Sequence, residues 1–315
     1  MKVLLPSSIP LSVQLPDGAA SVVYDVHRPI PAEHRDAEAV VIWQSPADRL
    51  ATMPAELPRL RWIQSLMAGT DAIEAAGFDP GVLLTSGRGL HDAPVAEHTL
   101  ALILAAARRL DRALAAQADG EWRPSQDANL PFASPAALTT LTGTRVLIWG
   151  FGGIGTRLAG YLSMLGARVT GVARSAGERA GYPVVTEADL AEVLPRTDVL
   201  VNILPATPHT EGIVDAAVLA ALPEQAWLVN VGRGATVNEA DLVATLEAGS
   251  IAGAALDVFA TEPLPTDSPL WRAPNVILTP HCAGGRPEAP EAMIEENLRR
   301  LLAGDELINL VPIGA

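Results

Sequence analysis

Short apolar runs separated by polar stretches open the chain: Val3-Leu4-Leu5, Ser21-Val22-Val23-Tyr24, Ala39-Val40-Val41-Ile42-Trp43, Trp62-Ile63-Gln64-Ser65 and Val82-Leu83-Leu84-Thr85. Their β-branched and aromatic content predicts the strands of a small α/β unit with a parallel sheet. Val95 to Ala107 is different, being apolar around most of a helical circumference. It predicts a helix buried between domains or between subunits. From Leu138 a second alternation predicts strands over 145–149, 168–173, 198–203, 226–231, 252–257 and 275–279. Helices are expected over 152–165, 187–193, 215–221 and 239–248. This is the pattern of a doubly wound sheet, whose ligand lies beyond the carboxyl ends of its strands. A last helix, 287–303, has too few partners to stand alone and is expected to rejoin the first unit. The expected organisation is therefore α/β, with two domains. A smaller, flavodoxin-like substrate domain is formed by 1–92 and 286–315, and a Rossmann dinucleotide-binding domain by 93–285. A cleft between them is the expected substrate site.

The predicted strand 145–149 runs directly into Gly150-Phe151-Gly152-Gly153-Ile154-Gly155 and then into a helix. In that context Gly150 serves a tight turn, Gly152 the approach of backbone to a pyrophosphate, and Gly155 close packing of helix on strand. Gly153 and Ile154 open the helix, where unpaired N–H groups and the positive end of the dipole favour an anion.

Composition narrows the chemistry. A formal net charge of -14 argues against a nucleic-acid partner and means that any anionic substrate needs local arginines and backbone N–H groups. Lys2 is the only lysine, which removes Schiff-base chemistry and a phosphate-loop NTPase. With the single cysteine Cys282, no internal disulfide is possible and a reducing, cytoplasmic location fits. No run is long enough to cross a bilayer, no secretory leader is expected at the amino terminus, and no His and carboxylate spacing predicts a metal site.

Three polar residues follow strands of the second alternation: Arg233, Glu262 and His281. Each alone has a structural explanation, since polar side chains gather in strand-to-helix loops. Beside a dinucleotide motif they compose a reduction site. The stretches Asn230-Val231-Gly232-Arg233-Gly234, Leu256-Asp257-Val258-Phe259-Ala260-Thr261-Glu262-Pro263-Leu264 and Thr279-Pro280-His281 resemble the D-isomer-specific 2-hydroxyacid dehydrogenases in order and spacing. The likeness extends to Ser65-Leu66-Met67-Ala68-Gly69-Thr70-Asp71, to Val95-Ala96-Glu97 and to Leu204-Pro205 followed by Pro208-His209-Thr210. It implies a homodimeric oxidoreductase that reduces a small 2-oxo acid to the D-2-hydroxy acid. His281 would be the general acid, Glu262 its orienting carboxylate, and Arg233 the partner of the substrate carboxylate. Backbone N–H groups at Met67, Ala68 and Gly69 would bind that carboxylate from its other side. Leu204, Pro205, Thr210 and Val231 would line the cofactor, and Asp257 would hold the nicotinamide carboxamide.

Where an NAD site carries an acidic residue for the ribose 2′-OH, this chain has Ala173 followed by Arg174 and Ser175. A cation and a hydroxyl suit a 2′-phosphate, so NADPH is expected to be preferred, with NADH possible. Glyoxylate and hydroxypyruvate reduction leads the candidate activities. Phosphoglycerate dehydrogenase activity and a nucleotide-sensing, corepressor-like role are the alternatives. The remaining histidines, His98 among them, are expected to be structural.

Overall fold

The computed structural model describes residues 1–124, 129–134 and 136–312, so the last residues of the segment 286–315 lie outside the described residues. The chain divides into two compact units, Met1–His91 with Arg286–Ala315, and Asp92–Gly285.

In the first unit, β1 (Lys2–Pro6), β2 (Ala20–Tyr24), β3 (Ala39–Ile42), β4 (Trp62–Ser65) and β5 (Leu83–Thr85) pair in parallel in the order β5-β4-β3-β1-β2. A short strand, Leu310–Val311, adds to β5 antiparallel, so the sheet is not wholly parallel as its apolar runs predict. Leu310 and Val311 are too short a run to register as a strand in the sequence; pairing with Thr85 and Leu84 makes them one. The helix Pro290–Ala303 covers one face with Ile294 and Leu298. Asn297 is fully buried there and donates to Gln64 Oε1 at 2.8 Å while accepting from Ile308 N at 2.7 Å. α1 (Ala47–Glu56) and α2 (Asp71–Glu74) complete the unit.

The second unit begins with α3 (Asp92–Ala107) and α4 (Leu110–Ala118). Its strands are β6 (Arg145–Trp149), β7 (Arg168–Val172), β8 (Gly177–Arg179), β9 (Tyr182–Val185), β10 (Val199–Asn202), β11 (Trp227–Asn230), β12 (Gly253–Leu256) and β13 (Val276–Leu278). They form one sheet in the order β13-β12-β11-β10-β6-β7-β9-β8, parallel except for the edge pair β8 and β9. Side chains alternate across it as strand geometry requires. Val146 and Ile148 enter the core under α3 and α5 (Gly153–Met164), whereas Leu147 and Trp149 enter the core under α6 (Leu190–Val193), α7 (Ala216–Ala220) and α8 (Glu239–Glu247). Because β7 and β10 flank β6, the order reverses there, and the turn after β6 opens at the switch point.

Within the chain α3 packs by one face. Val95, Ala96, Thr99, Leu102, Ile103 and Ala106 face the core beside α5, while Glu97 and Ala101 are exposed. The alanine content hides this asymmetry, since alanine is tolerated on either face. The β8–β9 hairpin was not anticipated: Gly177-Glu178-Arg179 is polar, and becomes a strand only by pairing with Tyr182-Pro183-Val184. Among the described residues no helix is long and apolar enough to cross a membrane.

Candidate active site

The turn after β6 is built from missing side chains. Gly150 has φ +102°, and a Cβ there would stand 2.7 Å from the Ile203 carbonyl oxygen. At Gly155 a Cβ would meet the Gly150 oxygen at 3.0 Å, a contact tight enough that the turn would have to give for α5 to stay this close. At Gly152 a Cβ would enter open space. Nothing in the protein requires glycine there, whereas a phosphate approaching the backbone would, so the turn fits a dinucleotide. Gly150 N and Phe151 N both donate to Val172 O, at 3.1 and 3.2 Å, which ties the turn to the end of β7. Ile154 is half-buried in the first turn of α5. Two charged side chains that no sequence motif singles out also reach this turn. Asp92 Oδ2 would lie 2.0 Å from a Cβ on Gly153, and Arg179 donates from Nη1 to the Phe151 carbonyl. Beyond β7, Ala173 is half-buried while Arg174 and Ser175 are exposed.

Arg233 sits in a loop clamped from both sides. A Cβ on Gly232 would be 2.6 Å from the Leu204 oxygen, and one on Gly234 only 1.8 Å from the Phe259 carbonyl carbon. Beneath the loop lies a buried polar network that the sequence pattern did not single out. Asn202 and Asn230 end neighbouring strands at the same register, and Asn202 Nδ2 donates to Asn230 Oδ1 at 3.2 Å and to Thr236 Oγ1 at 2.6 Å. Asn230 Oδ1 accepts from Gly232 N at 3.1 Å, and the Arg233 carbonyl accepts from Asn230 Nδ2 at 3.2 Å and Thr236 Oγ1 at 2.6 Å. An asparagine closing each of two apolar strands was the available signal. The Arg233 guanidinium is half-buried and donates to Gly232 O at 2.8 Å. Leu204 and Val231 line the same strand ends, both buried. Thr210 is buried too, its hydroxyl donating to Pro205 O at 2.6 Å, so it shapes the exposed 205–209 loop from inside.

His281 and Glu262 come together across the ends of β12 and β13. His281 Nδ1 lies 2.6 Å from Glu262 Oε2, with side chains 44% and 33% exposed. Glu262 is itself held, its Oε1 accepting from Phe259 N at 2.9 Å. A carboxylate can only accept, so Nδ1 carries the proton of this bond and Nε2, which makes no hydrogen bond among the described residues, is the nitrogen left for a ligand. The backbone of His281 is in the left-handed region at φ +49°, a conformation costly for a side chain with a Cβ. It is kept there by the His281 N–H, which donates to Asp257 O at 2.7 Å.

Asp257 anchors this turn from below. Its carboxylate accepts from Thr279 Oγ1 at 2.6 Å, Ala283 N at 2.9 Å and Cys282 N at 3.0 Å. Burial pushes its pKa up, but these bonds and the nearby His98 outweigh burial and hold it below the ordinary aspartate value. His98 Nε2 lies 3.0 Å from Thr279 Oγ1 and 3.4 Å from Asp257 Oδ1. Since the Thr279 hydroxyl proton is committed to Asp257, His98 Nε2 is the donor in that pair. His98, Asp257 and Cys282 place one ligand-type atom each within 4.8 Å of one another, a cluster that spacing along the chain concealed. Burial and the Asp257 charge both push the Cys282 thiol up, and the Asp257 oxygens are occupied by donors, so the cluster is a hydrogen-bonded knot under the histidine turn. A cavity of about 390 Å³ lined by Thr142, Thr144, Arg145, Arg168 and Asp198 lies at the amino ends of the strands, away from all these groups.

In the first unit the loop after β4 holds Met67 and Ala68 exposed and Gly69 half-buried. A Cβ on Gly87 would be 2.3 Å from the Leu66 oxygen, and Gly87 N donates to Met67 O at 2.8 Å, so one chain segment braces the other. Met67 N donates to Ser65 Oγ at 3.1 Å and is thereby occupied, which corrects the expectation that all three N–H groups face a ligand. Those of Ala68 and Gly69 make no hydrogen bond among the described residues.

The comparisons with known proteins agree with this geometry. Residues 100–283 match the model of the D-isomer specific 2-hydroxyacid dehydrogenase NAD binding domain. Glyoxylate/hydroxypyruvate reductase A of Serratia proteamaculans is 34% identical over 292 residues, 90% of this chain and 88% of its own. Among solved structures, a D-isomer specific 2-hydroxyacid dehydrogenase family protein from Aeromonas salmonicida superposes with a TM-score of 0.83 at 29% identity, covering 98% of each chain. An NADPH-dependent glyoxylate/hydroxypyruvate reductase from Sinorhizobium meliloti, in complex with NADP and sulfate, gives a TM-score of 0.79 at 29% identity, again over 98% of each chain. With a family model matched over more than half its length and a relative of this identity aligned over nine-tenths of it, the chain belongs to the D-isomer specific 2-hydroxyacid dehydrogenase family.

Proposed function

We propose that the protein reduces a small 2-oxo acid, with glyoxylate and hydroxypyruvate foremost, to the D-2-hydroxy acid at the expense of NADPH, and accepts NADH less well. The pair of His281 and Glu262 carries this reading: a histidine whose Nδ1 is fixed by a carboxylate at 2.6 Å presents Nε2 as a proton donor. When bound, the reduced nicotinamide supplies the hydride for C2 of the oxo acid. His281 delivers the proton to the carbonyl oxygen, and Glu262 holds the ring and offsets its positive charge. Arg233 grips the substrate carboxylate with a planar fork of donors. β11 and β13 are two strand positions apart, so strand spacing sets the arginine and histidine loops about 10 Å from each other, a span suited to a small acid. In the first unit, Ala68 and Gly69 have N–H groups to offer a carboxylate, whereas Met67 N is taken by Ser65. Asp257, its carboxylate buried, fixes the turn that carries His281 and acts toward the nicotinamide carboxamide through that turn.

For the cofactor, Gly150, Gly152, Gly153, Ile154 and Gly155 cradle the pyrophosphate, Arg174 and Ser175 take the 2′-phosphate, and Leu204, Pro205, Thr210 and Val231 shape the wall toward the nicotinamide. Residues 1–92 with 286–315 serve as substrate domain and 93–285 as dinucleotide-binding domain. We place the protein in a reducing compartment, the cytoplasm, and propose a homodimer. Leu110, Leu114, Trp122 and Phe132, between α3 and β6, are exposed, with Trp122 96% and Phe132 74% accessible, apolar surface that a second copy would cover. A monomeric mass by light scattering would exclude it.

Oxidation of NADPH and NADH, followed separately with glyoxylate, hydroxypyruvate, phenylpyruvate and 3-phosphohydroxypyruvate, tests the activity. Fast NADPH-dependent turnover of a two- or three-carbon oxo acid is the expected result. Tight nucleotide binding without turnover of any of them would replace the enzyme with a nucleotide sensor.

A further inference from the structure

Arg179 ends β8 on the exposed edge of the sheet, and among the described residues its guanidinium makes one hydrogen bond, from Nη1 to the Phe151 carbonyl of the glycine turn. The same hairpin reaches Phe151 a second time. Tyr182, paired with Arg179 across β8 and β9, meets the Phe151 ring edge-on at 6.1 Å and 72° between planes. The ring is 1% exposed and fills the space above Gly171, where a Cβ would stand 2.3 Å from it. The hairpin is thus fastened to the glycine turn at both the backbone and the side chain. Between them runs Ala173-Arg174-Ser175-Ala176, tied at one end to Val172 and at the other to the hairpin.

That corner, bounded by the glycine turn and the end of β7, is where a dinucleotide fold holds the adenosine ribose, with an acid at the strand end when the 2′-OH is unmodified. Here the strand end carries Ala173. The acid nearest along the hairpin, Glu178, precedes Arg179 on a strand and so projects from the opposite face. A guanidinium has five N–H donors in a fork, and the carbonyl of Phe151 takes one.

We propose that Arg179 is a specificity-determining residue for the phosphorylated dinucleotide, a second cation that grips the adenosine 2′-phosphate together with Arg174 and Ser175 while still holding the Phe151 carbonyl. This rests on the NADPH reading above and adds to it a residue from outside the strand-end loop. In a chain of net charge -14, a dianionic phosphate needs more than one local cation to offset the surrounding field.

Calorimetric titration with adenosine 2′,5′-bisphosphate and with 5′-AMP separates the two claims without turnover. Wild-type protein binding the bisphosphate no more tightly than 5′-AMP would overturn the NADPH reading itself. Given that preference, Arg179→Gln removes the charge, while Tyr182 against Phe151 and the β8–β9 pairing still hold the hairpin to the glycine turn. It should weaken the bisphosphate about tenfold and leave 5′-AMP within about twofold, because the charge removed faces the 2′-phosphate, which 5′-AMP lacks. KM for NADPH should rise by a larger factor than KM for NADH. If Arg179→Gln weakens both nucleotides alike, Arg179 is only a brace for the glycine turn, and if it weakens neither, it has no part in the site. Either result overturns the proposal.

Discussion

The glycine turn after β6 and the strand-end loops of β11 to β13 occupy the same edge of one sheet and are built by opposite means. The turn is made by subtraction. Gly150, Gly152 and Gly155 remove side chains so that backbone, helix dipole and ligand can approach one another. The loops are made by addition. Arg233 and His281 are held by Asn202, Asn230, Thr236, Glu262 and Asp257, a buried or half-buried set of polar groups with each position assigned by hydrogen bonds. A subtractive site tolerates variation in its surroundings but not in its glycines. An additive site depends on every support being satisfied, because a buried polar group without its partner costs free energy.

That contrast can be broken most sharply at His281. Replacing it with Asn removes the proposed proton donor while leaving the φ +49° position to a residue that tolerates it. We expect kcat for oxo-acid reduction to fall about 10³-fold, with nucleotide affinity unchanged by calorimetry. A loss of both would mean that the two regions are one cooperative unit. Glu262→Gln keeps the size and one acceptor facing Nδ1 but drops the charge, and its smaller loss in kcat should measure how much of the effect is electrostatic. Next in size is Arg233→Ala, expected to lower kcat/KM by about 10²-fold, corresponding to roughly 2–3 kcal/mol for a charged hydrogen-bonding partner of the substrate. Near-normal efficiency would remove Arg233 from the carboxylate site.

The supports make a separate prediction, read in stability rather than rate. Asp257→Asn leaves an NH₂ group among donors that faced a carboxylate, and should cost about 2–3 kcal/mol in the unfolding free energy. The Asp257 side chain is 1% exposed, so solvent screening does not erase this. Its pKa is held below the ordinary aspartate value in the folded chain, so the unfolded chain binds the proton more readily. Its contribution is therefore complete above the ordinary aspartate range and is lost as the pH falls from there through the lower folded value. Denaturant titrations of wild type and Asp257→Asn should accordingly converge in acid. A gap that stays constant with pH would mean the carboxylate's charge is not what stabilises the turn.

The contrast also accounts for what the sequence discloses. A subtractive site is contiguous, so strand, Gly-x-Gly-x-x-Gly and helix are visible from Arg145 to Met164 in one pass. Arg233, Glu262 and His281 are visible because each follows an apolar run. The groups that hold them are dispersed and chemically ordinary. His98 lies on α3 and meets Thr279 from 181 positions away, and no periodicity predicts that. The β8–β9 hairpin is hidden for a related reason: Gly177, Glu178 and Arg179 carry no strand signal of their own, and edge pairing creates the strand. The parallel core strands are legible because burial on both faces demands continuous apolar runs, as in Val199-Leu200-Val201.

The smallest expected effect tests whether the subtractive site is purely subtractive. Asp92 begins α3, and its Oδ2 stands where a Cβ of Gly153 would be, against the first residue of α5. Its carboxylate therefore lies at the positive end of α5, the place we propose for the pyrophosphate, and the two anions would favour the same spot. Asp92→Asn removes the like charge with little change in size. NADPH should bind two- to fivefold more tightly by fluorescence titration, the range given by a charge of about 0.3–1 kcal/mol at a helix terminus. The unliganded protein should melt slightly earlier, since α5 loses an anion at its amino end. Added salt should narrow the difference in affinity, because a half-exposed charge is screened. If the affinity instead falls, Asp92 serves to set the backbone of Gly153, and the glycine turn depends on a side chain after all.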